Sequence, residues 1–173
     1  MDRWPDADWT LVRPFPFAAA RGAFAGLTAV EGSIDLVYYL RPEDRALVAV
    51  VKFGPRAEGA PGLVHGGMIL TVLDEALGAA CWISARPSLT VRLTTDFRLS
   101  VPLGSRLLVE TRVTAERHRL VFASAALLGA DGTLYAEAEG RLLRLNDDAQ
   151  RRLLGQSIRR TNRASKTAPE ELK

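Results

Sequence analysis

Gly62-Leu63-Val64-His65-Gly66-Gly67-Met68-Ile69-Leu70-Thr71-Val72-Leu73-Asp74-Glu75-Ala76-Leu77-Gly78 is the stretch around which the rest of this 173-residue chain is organised. It leaves a turn-rich loop, Glu58-Gly59-Ala60-Pro61, and continues without proline to Trp82-Ile83-Ser84. That is too long for a typical strand, so the pattern predicts a helix. The segment is apolar nearly all round, which predicts burial on most sides. It reads as too short to span a bilayer, and it carries Asp74 and Glu75 at its centre. Burying an unpaired carboxylate costs on the order of several kcal/mol even after relaxation, so two acids there need a reason.

The start of such a helix has chemistry of its own. Its first amide N–H groups have no partner inside the helix, and the dipole makes that end electropositive. Gly66 and Gly67 leave those groups uncovered by side chains, which suits the oxyanion formed when a thioester or ester carbonyl is attacked. The competing reading is that the glycines only let the loop pack tightly.

Outward from the helix the pattern changes to strands. Residues 33–40 and 45–53 are rich in Val, Ile and Tyr and flank the proline-led turn Arg41-Pro42-Glu43-Asp44. Beyond Pro87, residues 89–101 alternate. Leu89, Val91, Leu93, Thr95, Phe97, Leu99 and Val101 form one set, and Thr90, Arg92, Thr94, Asp96, Arg98 and Ser100 the other. Three further strands follow, to about 116, at 120–128 and at 133–145, with a bend at Arg117-His118-Arg119 and a hairpin turn at Ala130-Asp131-Gly132. Short turns make these neighbours antiparallel, and a single apolar helix must be wrapped by the buried face of their sheet. The fold class is α+β, with a curved antiparallel sheet of five to six strands.

The ends differ from this body. Residues 1–31 read as an irregular arm or lid, with Trp4, Trp9, Phe15 and Phe17 set among prolines and a small-residue stretch at 18–25 that suits a short helix; a partly ordered terminus is the alternative. The first residues lack an apolar signal-peptide core, and Cys81 is the single cysteine, so no intrachain disulfide forms and a reducing cytoplasm is expected. Cys81 reads as a small packing residue. Residues 146–173 form a basic tail, partly disordered, whose seven Lys and Arg against four acids account for the whole formal net charge of +3. The body is therefore near neutral, and no nucleic acid or membrane partner is indicated. With two histidines, His65 and His118, and one cysteine, no metal cluster is expected.

Pro61-Gly62-Leu63-Val64-His65-Gly66-Gly67, with Asp74 nine residues after His65, resembles the hotdog-fold acyl-CoA thioesterases. The nearest flavour is the PaaI-like and THEM-type branch of the 4-hydroxybenzoyl-CoA thioesterase-like superfamily. Leu93-Thr94-Thr95-Asp96-Phe97-Arg98-Leu99-Ser100-Val101-Pro102 resembles the strand that carries that family's active-site Thr or Ser, and the likeness covers about residues 32–145. The resemblance implies a hotdog fold and thioester hydrolysis without a cofactor beyond the CoA of the substrate. It also implies a homodimer with sheets joined edge to edge, and a homotetramer built from it. In this reading Asp74 is general base or nucleophile, and Glu75, one residue on, is its competitor. Thr94 holds the water or Asp74, and Gly66, with Gly67, binds the oxyanion. His65 orients the loop or bonds the carbonyl. Arg117-His118-Arg119 lies where relatives meet CoA phosphates, with Arg92 and Arg98 as lesser candidates. Glu58 stands near where relatives place a supporting Asn or Gln, so an acid there is a departure.

One distance constrains all of this. Gly66 and Asp74 are eight residues apart on one helix, or ~12 Å along its axis. An attacking atom must come within ~3–3.5 Å of its carbon. The helix start of one copy must therefore meet the Asp74 of another. Alternatives are a non-hydrolytic acyl-CoA or acyl-carrier binding protein, an editing thioesterase acting on acyl-carrier protein, and a hotdog hydratase, whose Asp/His pair this chain lacks after the helix.

Overall fold

The computed structural model describes residues 4–16 and 32–155. The short helix expected at 18–25, Phe17, and the tail from 156 onward lie outside the described residues. In chain order the elements are β1 (Thr10–Val12), β2 (Ile34–Leu40), β3 (Leu47–Phe53), a 3₁₀ turn (Pro55–Ala57), α1 (Gly66–Ile83), β4 (Ser88–Phe97), β5 (Arg106–Arg117), β6 (Leu120–Leu128) and β7 (Leu134–Arg144). They form one sheet in the order β1-β2-β3-β5-β6-β7-β4, antiparallel at every pairing.

The helix lies where the apolar pattern requires. Val72, Leu73, Ala76, Leu77, Ala79 and Cys81 are fully buried, and α1 packs on β3, β4, β5, β6 and β7. Gly140 of β7 permits the close approach. A Cβ there would stand 2.9 Å from Cδ1 of Leu77. By length and composition the 18-residue helix could cross a membrane, but here the sheet wraps it as a core helix. Burial pushes the Cys81 thiol up to about 11, so it stays protonated and packs. The hotdog arrangement is the one the chain adopts.

The sheet holds a seventh strand beyond the five to six expected. Three residues of the N-terminal arm, Thr10–Val12, pair with Tyr38–Leu40 of β2. The arm covers apolar surface on two sides. Trp4 and Trp9 pack with Val48, Val50 and Leu108 in a cluster separate from the main core, while Phe15 lies against Trp82 of α1 with ring centroids 6.2 Å apart. At the other end of the sheet β4 has no neighbour beyond β7 among the described residues, and Leu89, Val91, Phe97 and Leu99 are exposed.

The strand expected over 89–101 ends earlier, at Phe97. Arg98 and Leu99 both donate their N–H to one carbonyl, Tyr135 O, which ends the alternation. The chain then turns to brace the loop before α1: Val64 N–H donates to Val101 O at 2.9 Å, and Leu63 bridges Pro102.

Candidate active site

The loop entering α1 is held from several directions. His65 N–H donates to Ala57 O at 2.8 Å, and Glu58 bridges Val64 across the loop. The Glu58 carboxylate accepts Gly62 N–H through Oε1 at 2.7 Å, which braces the turn. Gly59 is required by space, because a Cβ there would lie 2.9 Å from the His65 Cα.

His65 is the N-cap of α1, with extended backbone at φ −63° and ψ 131°. Its Nδ1 accepts the Gly67 N–H at 2.9 Å. An accepting Nδ1 leaves the ring N–H at Nε2, on an exposed side chain. The same bond occupies Gly67, which therefore is not the second free amide donor expected from the glycine pair. Met68 N–H turns back to His65 O at 2.9 Å. Gly66 N–H makes no hydrogen bond among the described residues and stands at the positive end of the helix dipole.

Half-way along the same helix lie the two carboxylates. Among the described residues, Asp74 Oδ1 and Glu75 Oε1 are buried without a hydrogen-bond partner, as are Thr95 Oγ1 and the Tyr38 hydroxyl. One helical turn from Asp74 lie Leu70, Thr71 and Gly78, none of them fully buried, and Leu77, which is. Glu75 points elsewhere, within electrostatic reach of Tyr38, which is 2% exposed. Burial, and then the charge of Asp74, lift the Glu75 carboxyl to about 7. Burial, and then Glu75, hold the Tyr38 hydroxyl well above its ordinary range.

A raised carboxyl pKa has a stability consequence. From its ordinary value to about 7, the folded chain binds the Glu75 proton more tightly than the unfolded one. Stability from this group is greatest at acid pH and falls as pH rises to about 7, by up to about 3 kcal/mol at about 1.4 kcal/mol per unit. Glu75→Gln removes that fall. Denaturant unfolding should show the variant's advantage growing from pH 5 to pH 8, and parallel curves for the two proteins would contradict the shift.

The register of β4 sorts its hydroxyls. Leu93 opposes Gly140, Thr95 opposes Ala138 and Phe97 opposes Ala136, all on the side that faces α1. Thr94 opposes Glu139, on the outer side of the sheet, with Asp96 and Arg98 beside it. The structure therefore does not bring Thr94 to Asp74; Thr95 is the neighbouring hydroxyl that faces the helix. An irregularity between Thr90 and Arg92 also turns Thr90 to the helix side, opposite buried Leu142. Sequence reading passed over Thr90 because strict alternation puts it with Arg92.

Arg117-His118-Arg119 joins β5 to β6, with His118 at φ 56°. The hairpin packs at the other end of the molecule from Gly66. Arg119 donates to Arg144 O at 3.1 Å, and Glu116 pairs with Arg86 and Arg144 near the start of β4. An 18-residue helix, ~27 Å, separates it from the loop within one chain. Arg98 is paired with Glu137 and Asp96, and Arg92 sits directly opposite Arg141, both on the outer face. Among the described residues no group of three or more His, Cys, Asp or Glu could hold a metal ion.

A family model described as the thioesterase superfamily matches residues 61–136, the span from the loop through α1 to β7. "Putative esterase PA0474" of Pseudomonas aeruginosa is 35% identical over 99 residues, covering 56% of this chain and 73% of its own. The chain belongs to the thioesterase superfamily. Within that superfamily, acyl-coenzyme A thioesterase THEM4 of Xenopus laevis is 32% identical over 110 residues, 63% of this chain and 49% of that one. The chain thus spans about half the length of that relative. Among solved structures, the thioesterase superfamily protein RHA08564 matches with a TM-score of 0.60 at 25% identity, over 63% of this chain and 53% of its own.

Proposed function

We propose that the chain hydrolyses acyl-CoA thioesters at a site built by two copies of itself. The observation that carries the reading is the pair of groups on α1: a free Gly66 N–H at the helix start and a partnerless Asp74 carboxylate about two turns on. One donor and one base or nucleophile are what thioester hydrolysis requires, and their separation demands a second copy. The relatives named acyl-coenzyme A thioesterases support the choice of substrate.

The second copy docks along β4. This edge is ten residues long, lacks proline and exposes Leu89, Val91 and Phe97, which makes it a liability until another strand covers it. Antiparallel pairing of β4 with itself sets the Phe97 end of one copy beside the Ser88 end of the other. The Gly66 loop then faces the partner's helix, and the partner's basic hairpin comes toward the bound CoA phosphates. A homotetramer would follow from packing two such dimers.

In the reaction Gly66 N–H, with the Nε2–H of His65 beside it, stabilises the oxyanion. The Asp74 carboxylate from the facing copy takes a proton from water as the water oxygen attacks the carbonyl carbon. The C–S bond then breaks and the CoA thiolate leaves. As nucleophile, Asp74 instead forms an acyl anhydride that water cleaves. Thr95 or Thr90, on the helix-facing side of β4, positions the water or the carboxylate.

The test is free thiol release from acyl-CoAs ranging from acetyl to palmitoyl, with phenylacetyl and benzoyl. Turnover above ~1 s⁻¹ on any of them, within the usual range for enzymes, is the expected result. Binding of acyl-CoA without thiol release from any acyl-CoA or acyl-carrier protein would instead make the protein a non-hydrolytic binder.

A further inference from the structure

Phe97 stands beside the one free amide of the helix start. A Cβ built on Gly66 would lie 3.6 Å from both Cε1 and Cζ of the Phe97 ring. Phe97 ends β4 on the side that faces α1, yet 53% of it is exposed. Its backbone has little freedom to withdraw. Ala136 pairs with it across the sheet, and the next residue donates its N–H to Tyr135 O at 2.8 Å. An aromatic ring that is half-exposed in the single chain thus stands on a pinned backbone at the mouth of the proposed oxyanion site.

Resting on the thioesterase reading, the geometry points to Phe97 as a specificity-determining residue that limits the shape of the acyl group next to the thioester carbon. A carbonyl oxygen bound to Gly66 N–H lies ~2.7–3.1 Å from the nitrogen. The acyl α-carbon and the thioester sulfur are each two bonds from that oxygen, and in this proposal the α-carbon takes the side of the Phe97 ring. An unbranched or planar α-carbon packs there. A methyl branch on it then meets the ring, and the loop that presents Gly66, braced by Glu58, Ala57 and Val101, has little room to yield.

The experiment compares kcat/KM for hexanoyl-CoA and 2-methylhexanoyl-CoA in the wild type, Phe97→Leu and Phe97→Ala. The readout is the ratio of the two substrates, so a general loss of rate does not count in its favour. The wild type should prefer the unbranched substrate at least ~10-fold, within the ~10–200-fold that one methylene is worth in a fitted pocket. Phe97→Ala should cut that ratio about tenfold, with Phe97→Leu between them. An unchanged ratio in Phe97→Ala overturns the inference, whether both rates hold or both fall. If the wild type hydrolyses neither substrate, the thioesterase reading fails separately. The same ratio is then read from the dissociation constants of the two acyl-CoAs, and equality between wild type and Phe97→Ala overturns the inference there too.

Discussion

Asp74→Asn should leave a folded, self-associating chain that has lost about 10²–10⁴ of its thioester turnover, the usual worth of a positioned acid or base. The substitution changes no volume and no backbone, and it removes only the charge that can attack or activate water. Asp74 Oδ1 has no hydrogen-bond partner among the described residues, so no network among them is broken. A second signature accompanies the loss. Part of the lift on Glu75 comes from the Asp74 charge, so the Glu75 titration should move down in this variant while burial keeps it above the ordinary carboxyl range. Single-turnover kinetics, size-exclusion chromatography and the pH dependence of unfolding read these three effects. Undiminished turnover would transfer the role to Glu75, with Glu75→Gln as the deciding variant.

Gly66→Pro should abolish the oxyanion donor while sparing the helix. Proline belongs at the first helical position, where the missing N–H has no intrahelical acceptor in any case. His65 already has the extended backbone that the residue before proline prefers. A Cβ at Gly66 meets only ordinary contact with Phe97. The expected result is a drop in kcat of about 10²–10³, as for loss of one donor in an oxyanion hole, with unfolding changed little. A variant that unfolds readily would show that the loop needs glycine for packing. A variant that is stable and fully active would remove Gly66 from the site.

Much of this was legible in the residues themselves. The proline-free apolar run after His65-Gly66-Gly67 marked α1, observed from Gly66 to Ile83; alternation marked β4 and β5, and Val/Ile/Tyr-rich runs or turn residues marked the other four strands around it. The seventh strand was not legible. Thr10-Leu11-Val12 is too short to show a period, and its pairing with β2 is a tertiary event. The β4 hydroxyls divide more instructively. Alternation alone had already grouped Thr95 with the apolar face and Thr94 with the charged one, as the register places them, whereas the family likeness had selected Thr94. Thr90 escaped because one irregular residue step reverses its side, and a local kink of that kind leaves no periodic trace. The helix start was half legible. Two glycines announce two exposed amides, but the His65 side chain folds back onto the second, a contact set by its own rotamer. Glu58 likewise turned out to serve its own loop, where an acid can accept a backbone N–H as well as an amide can.

The most direct test of a site shared between chains is to mix the two inactive variants. Asp74→Asn and Gly66→Pro proteins would be unfolded together, refolded at equal concentration, and assayed for thiol release from a substrate the wild type cleaves. Random pairing makes half the dimers mixed. In each of these, one of the two symmetry-related sites takes an intact Gly66 from one chain and an intact Asp74 from the other. Recovery of about a quarter of the wild-type rate is the result predicted here for a two-fold composite site. A mixture no more active than its two parents, in chains shown to have exchanged partners, would place Gly66 and Asp74 of one chain in one site and contradict the account.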